Sequence, residues 1–218
     1  MTNADELKKY STSLLSDAME RAQLKGGIGG LNSFGQPILA AGRIVTIQLG
    51  PASNLRSAVH LGARAIQSAE PGSILVIDNG ADTRAACWGG LLTLAAKRKG
   101  VSGLLVNGLV RDLAEIHGHD MPLLALGTTP LTARGRYIEI GTNVPITISG
   151  VTIHPGDFAV LDPSGAVIIP QTQIRDVLSQ AAKLQCFEEE FERALAAGED
   201  PVTVLDSRYE ALVEGPTR

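Results

Sequence analysis

Residues 88–112 read WGGLLTLAAKRKGVSGLLVNGLVRD, and the succession of residue types along them decides the architecture. A helical pattern runs from Ala85 to Arg98, through Trp88-Gly89-Gly90-Leu91-Leu92, and stops at Gly100. Gly103-Leu104-Leu105-Val106 is a short, wholly apolar run of the kind a buried strand presents. Asn107-Gly108 reads as a tight turn, and Arg111 to His117 as a short second helix. That order brings a glycine-rich segment and an Arg-Asp pair to one end of a sheet. A helix N-terminus offers free backbone N–H groups to a carboxylate. An arginine holds a carboxylate through two parallel hydrogen bonds, and an aspartate holds a divalent cation. These are the parts of a small anionic-substrate site.

Working outward, Ser73 to Ile77 is a second apolar run, ending at Asp78-Asn79-Gly80, and Leu123 to Leu126 is a third. The middle of the chain therefore predicts β-α-β-α-β, with parallel strands and helices packed on the sheet. Ligands in such sheets sit beyond the carboxyl ends of the strands. Asp78, Asn107-Gly108 and Arg111-Asp112 all fall there.

Upstream, Asp5 to Leu24 is helical with a break near Ser11-Thr12-Ser13, where Thr12 or Ser16 is the candidate cap. Lys25 to Gly30 is a glycine-rich connector, Gly42 to Leu49 a strand, and Asn54 to Ala69 an amphipathic helix. Downstream of Thr128, short strands are expected at 137–140, 144–148, 151–153, 158–161 and 166–169, punctuated by Pro and Gly. They predict a compact antiparallel or barrel-like second half. Ile174 to Ala197 is a long charged helix. The expectation is an α/β protein of one domain over 1–218, with N-terminal helices over 5–24 and a C-terminal helical tail over 174–213.

Composition narrows the classes. The 218 residues carry a formal net charge of −4, and no basic run is long enough to track a phosphate backbone. Nucleic-acid binding is not the expectation. No apolar run approaches the ~20 residues needed to cross a bilayer, and the N-terminus has no apolar signal core. Cys87 and Cys186 lie far apart without metal-ligand spacing, which fits a reducing compartment. Cytoplasmic placement without a membrane partner is expected.

Each candidate has a plainer alternative. Arg111-Asp112 alone is a common pairing of a surface Arg with an Asp at a helix start; its place after a buried strand favours the site. Gly89-Gly90 serves close packing or carboxylate binding, and Trp88 serves packing or a pocket wall. Asp78 and Asp82 are turn formers or metal-associated acids. His60, His117, His119 and His154 show no zinc-ligand spacing. Most read as surface or turn histidines, with an inward-facing His60 on the predicted helix as the alternative. No lysine offers itself for a Schiff base, and no serine lies in a nucleophile elbow. Glu188-Glu189-Glu190 and Glu192 read as an exposed helix face.

The run over 88–112 resembles the RraA-like family. That family includes 4-hydroxy-4-methyl-2-oxoglutarate aldolases and the regulator of ribonuclease E activity. Ser16-Asp17-Ala18, Pro71-Gly72, Asp78 to Ala86, Val151 to Asp157 and Asp162 to Pro170 extend the resemblance over most of the chain. It implies a β/β/α swivelling-domain fold and a homotrimer or homohexamer with sites at subunit clefts. By resemblance, Asp112 binds Mg²⁺ or Mn²⁺, Arg111 contacts a small 2-oxo acid, and the amides of Gly89, Gly90, Leu91 and Leu92 hold its carboxylate.

The implied activity is that of a class II, metal-dependent lyase. It cleaves 4-hydroxy-2-oxo acids to pyruvate and decarboxylates oxaloacetate, through a metal-stabilised enolate. The alternatives are a non-catalytic regulator that binds an RNA-processing enzyme, or a lyase of the same fold with another substrate. One position departs from the family. The aldolases carry an acid, twenty residues, then Arg-Asp, and the position of that acid here is Gly90. This departure implies weaker metal binding or a different substrate, with Asp78 or Asp82 as the compensating acid.

Overall fold

A computed structural model describes residues 2–35, 39–52 and 59–205. The predicted parallel core is present. Strands β3 (Ala40–Pro51), β4 (Ile74–Asp78), β6 (Gly103–Val110) and β7 (Leu123–Thr128) pair in parallel in that order. Helices α3 (Ala63–Ser68), α4 (Gly90–Arg98) and α5 (Leu113–Gly118) lie on the crossovers between them. Alternation along the strands divides the core. Leu75, Ile77, Leu104 and Val106 pack beneath these helices, whereas Ile74, Val76 and Leu105 enter a second cluster on the other side. A hairpin, β9 (Ile146–Ile148) and β10 (Val151–Ile153), contributes Ile146, Ile148, Val151 and Ile153 to that second cluster. Both faces of the strands are covered, which is why their sequences are apolar without a break.

The second half does not close into a barrel among the described residues. It extends the same sheet instead. β11 (Phe158–Asp162) pairs antiparallel with β3 and with β12 (Gly165–Ile169), and β8 (Tyr137–Thr142) pairs antiparallel with the other end of β3. The twelve-residue β3 makes this possible. Its first residues serve the antiparallel half and its middle serves the parallel half. Two short strands, β1 (Gly27–Ile28) and β2 (Asn32–Phe34), close the edges on β12 and β7. Helices α1 (Asn3–Leu7), α2 (Thr12–Arg21) and α6 (Ile174–Ala196) bury Leu15, Met19, Val177 and Leu184 against Phe158, Val160, Val167 and Ile169.

Several boundaries differ from expectation. Ser11, not Thr12 or Ser16, caps α2, its hydroxyl accepting from the Leu14 N–H at 3.1 Å. The helix expected over 54–69 is described only as Ala63–Ser68; residues 53–58 lie outside the described part, and His60 is exposed. The tail over 174–213 comprises α6 and α7 (Pro201–Val204), with residues 206–218 outside the described part. No helix among the described residues is long and apolar enough to cross a membrane.

Two corrections bear on the site. Ala86–Trp88 is not the first turn of a helix but a strand, β5, parallel to the end of β6. Asn107-Gly108 is not a turn: β6 continues to Val110, with an irregularity between Val106 and Leu109. β4 leaves β6 at Asp78, paired with Asn107, and β5 takes over the vacated edge at Leu109 and Val110.

Candidate functional site

That exchange of strands builds the site. The Arg111 N–H donates to the Trp88 carbonyl at 3.1 Å, carrying the β5–β6 ladder one residue further. Gly89 and Gly90, which follow β5, thereby lie against Arg111 and Asp112, which follow β6. Asp112 precedes α5 with φ 64° and ψ 44°, the left-handed conformation. A non-glycine residue there is uncommon and costs about 1 kcal/mol or more, a strain characteristic of functional positions. In this conformation the Asp112 carboxylate turns back: its Oδ2 accepts from the Gly90 N–H at 3.2 Å and from Arg111 Nε at 3.1 Å. Oδ1 has no hydrogen-bond partner among the described residues. The Arg111–Asp112 pair is about one-third exposed, so the ion pair alone contributes little stability.

The two glycines are explained by close approach. A Cβ on Gly89 would stand 2.7 Å from Asp112 Oδ2 and 3.2 Å from Arg111 Cγ. A Cβ on Gly90 would stand 1.9 Å from Glu115 Oε2. Neither position has room for a side chain because two carboxylates occupy it. The N–H groups of Leu91 and Leu92 begin α4 and have no intrahelical acceptor. Leu91 itself is 80% exposed.

Glu115 bears on the departure at Gly90. A carboxylate is present at that place, supplied from α5 rather than from α4. No one-dimensional pattern announces it. The available signal was the Asp-x-x-Glu spacing of Asp112 and Glu115, which places an acid in the first turn of the helix that Asp112 precedes. Asp78 and Asp82, the other two acids weighed for this place, are engaged by their own loop. Asp78 is buried and accepts from Asn107 Nδ2 and the Gly80 N–H, both at 2.8 Å, which pins the loop. Asp82 is bonded to Arg84, which holds its carboxyl well below the usual range.

The other candidates resolve into structural roles. Trp88 is 2% exposed and packs in the core rather than walling a pocket. Cys87 is buried, and burial pushes its thiol up to about 12, far from nucleophilic at neutral pH. His117 and His154 are exposed, as are Lys97, Arg98 and Lys99 and the acidic stretch over 188–190.

The donor set suits a hard divalent ion. No group of three or more His, Cys, Asp or Glu side chains capable of holding a metal occurs among the described residues. Mg²⁺, however, is commonly held by one or two carboxylates and keeps several waters. Asp112 and Glu115 supply such a pair, with Asp112 Oδ1 uncommitted.

The fold and this arrangement define a mixed α/β protein with a carboxylate–arginine centre at a helix start. The family described as RraA-like: Aldolase/RraA matches residues 12–168, and the chain belongs to it. It is 32% identical to the "Putative 4-hydroxy-4-methyl-2-oxoglutarate aldolase" of Halalkalibacterium halodurans over 213 residues, covering 95% of this chain and 94% of that protein. It is 29% identical over 211 residues to protein DlpA of Legionella pneumophila, covering 97% of this chain, which spans about a third (34%) of that protein's length. The crystal structure of Streptomyces coelicolor RraAS2, described as an unusual member of the RNase ES inhibitor RraA protein family, superposes with a TM-score of 0.77. It is 25% identical, over 88% of this chain and 95% of that one.

Proposed function

We propose that the chain is a divalent-metal-dependent carbon–carbon lyase. It cleaves 4-hydroxy-2-oxo acids of the 4-hydroxy-4-methyl-2-oxoglutarate type to pyruvate and also decarboxylates oxaloacetate. The observation that carries this reading is the convergence of Asp112, Glu115 and Arg111 on the two glycines that open α4.

In this reading Asp112 and Glu115 hold Mg²⁺ or Mn²⁺, which supplies Lewis acidity toward the 2-oxo group. The Leu91 and Leu92 N–H groups receive the substrate's C1 carboxylate, favoured by the positive end of the helix. Arg111 uses Nε for Asp112 and leaves both terminal nitrogens without partners among the described residues. They pair with substrate oxygens. In aldol cleavage the 4-hydroxyl proton passes to a solvent water acting as base and the C3–C4 bond breaks. C4 becomes a carbonyl, and the electron pair passes to the C2 oxygen as pyruvate enolate. In oxaloacetate the same bond breaks with loss of CO₂ and yields the same enolate. Protonation at C3 completes both reactions. The helix amides orient the substrate through its C1 carboxylate, and the Arg111 guanidinium is a fixed donor for the charge that develops on the C2 oxygen, which is the largest lever such a site has.

The test is pyruvate release from both substrates across a range of Mg²⁺ and Mn²⁺. Asp112→Ala is expected to lower turnover by about a thousandfold or more, the scale of losing a principal electrostatic element. Its thermal midpoint should stay close to that of the parent. Pyruvate release from neither substrate overturns the reading. The regulator reading is favoured by the likeness to RraAS2; capture of an RNA-processing nuclease by a metal-free, inactive protein would establish it instead.

A further inference from the structure

Behind the site lies a hydrogen-bond chain that none of the groups assigned above requires. The Trp88 indole Nε1–H donates to Thr93 Oγ1 at 3.0 Å. That hydroxyl donates in turn to the Gly89 carbonyl at 3.0 Å, and the Thr93 backbone N–H reaches the same carbonyl at 3.1 Å. Thr93 is fully buried and Trp88 is 2% exposed, so no water competes for these groups. A hydroxyl that accepts one bond and donates another is polarised by both.

Trp88 is also held from outside. A Cβ on Gly62 would stand 2.8 Å from the indole Cζ3, so the start of α3 presses on the ring. The Gly62 N–H is fixed by Glu139 Oε2 at 2.7 Å. The backbone carbonyl of Trp88 meanwhile takes the Arg111 N–H. One buried residue thus reaches both halves of the site, bonding the Arg111 backbone through its carbonyl and, by way of the Thr93 hydroxyl, the Gly89 carbonyl through its ring.

We propose that Trp88 and Thr93 are positioning residues that set the direction of the α4 N-terminal amides toward the substrate carboxylate. The inference rests on the lyase reading for its ligand. Its geometric content, the fixing of the Gly89 peptide by the Thr93 hydroxyl, does not depend on that reading. An ordinary helix start needs no such chain, because the Thr93 N–H bond already forms the first turn. The added Oγ1 bond ties that turn to a ring clamped by a different element.

The test compares Thr93→Val, which deletes the hydroxyl at nearly constant volume, with Thr93→Ser, which retains it. Three quantities are measured on the full chain: KM and kcat for oxaloacetate, affinity for oxalate by calorimetry, and hydrogen exchange of the Gly90, Leu91 and Leu92 amides. The expected result for Thr93→Val is KM and the oxalate Kd raised about fivefold, with kcat changed less than KM, as for loss of substrate binding. Exchange of the three amides should accelerate about tenfold. Thr93→Ser should stay within about twofold of the parent on every measure, even where its thermal midpoint falls as far as that of Thr93→Val. Trp88 is the only tryptophan in the chain, so its emission reports loss of the indole bond directly. Equal behaviour of the Val and Ser variants overturns the inference. If the parent neither binds oxalate nor releases pyruvate, the lyase reading falls, and amide exchange in the two variants still decides the positioning role.

Discussion

Carboxylates in the two halves of the sheet are used in opposite ways. In the antiparallel half, Asp162 is buried and saturated. It accepts from the Thr12 N–H and hydroxyl and from the Ser164 N–H, all at 2.7 Å. Asp157, 4% exposed, accepts from the His154 N–H at 2.8 Å and the Gln171 N–H at 3.0 Å. In the parallel half, Asp112 keeps one oxygen uncommitted, tolerates a left-handed backbone and stands about one-third exposed. Glu115 beside it is exposed. A saturated carboxylate holds turns and helix ends together. An unsaturated one, kept open at the expense of backbone strain, is available to a ligand.

The largest expected effect tests the saturated side. Asp162→Ala leaves buried donors unpaired and unfastens the start of α2 from the β11–β12 turn. The expected cost is about 3 kcal/mol, the scale for breaking a buried hydrogen-bond network. For a chain of this size that lowers the thermal midpoint by about 8 °C. Turnover by the protein that remains folded should be unchanged. Calorimetry and pyruvate release on the same sample check both, and a loss of turnover without a loss of stability would erase the contrast.

The two halves also differ in how far their sequence discloses them. The parallel core was legible because its strands, buried on both faces, read as apolar runs between glycine breaks. β5 was hidden because Ala85-Ala86-Cys87-Trp88 continues the apolar pattern of the helix that follows, and three residues carry no period of their own. Asn107-Gly108 has the composition of a turn, yet Leu109 and Val110 find partners in both β5 and β7 and keep the strand going. The second half resisted reading because its pairing is non-local: β11 joins β3 across more than a hundred residues, and no short-range signal selects an open sheet over a barrel. In the site, Gly89, Gly90, Arg111 and Asp112 were visible as types. Glu115 and Thr93 acquire meaning only from what they touch in three dimensions.

A smaller effect sharpens the unsaturated side. Gly90→Ala places a methyl 1.9 Å from Glu115 Oε2 and 2.8 Å from Glu115 Cβ. Glu115 is exposed and its carboxylate swings away, but its Cβ moves only with α5, so the thermal midpoint is expected to fall by about 4 °C. The metal concentration giving half-maximal activity should rise about tenfold, as one of two carboxylates is displaced. Combining Gly90→Ala with Glu115→Ala removes the Oε2 and Cδ contacts but keeps the Cβ one at 2.8 Å, so the midpoint recovers only in part and the metal response does not recover. Recovery of both would mean that the carboxylate against Gly90 has no part in the chemistry.

The smallest effect concerns a third kind of carboxylate, neither saturated nor poised for a ligand, where α2 meets α6. Burial raises the Asp17 carboxyl, with Glu20 adding to it, and burial raises Glu188, with Asp17 and Glu192 adding to it. Both groups bind a proton more readily folded than unfolded. Stability therefore falls as pH rises from their ordinary values, 3.8 and 4.5, through their raised folded values. Asp17→Asn removes the charge from this junction, and it should raise the thermal midpoint at pH 7 by about 1–2 °C while leaving it nearly unchanged at pH 4. Thermal scans of the parent and Asp17→Asn between pH 4 and pH 8 check this. A midpoint lowered at pH 7 by Asp17→Asn would show that Asp17 is fastened like Asp162 rather than crowded by its acidic neighbours.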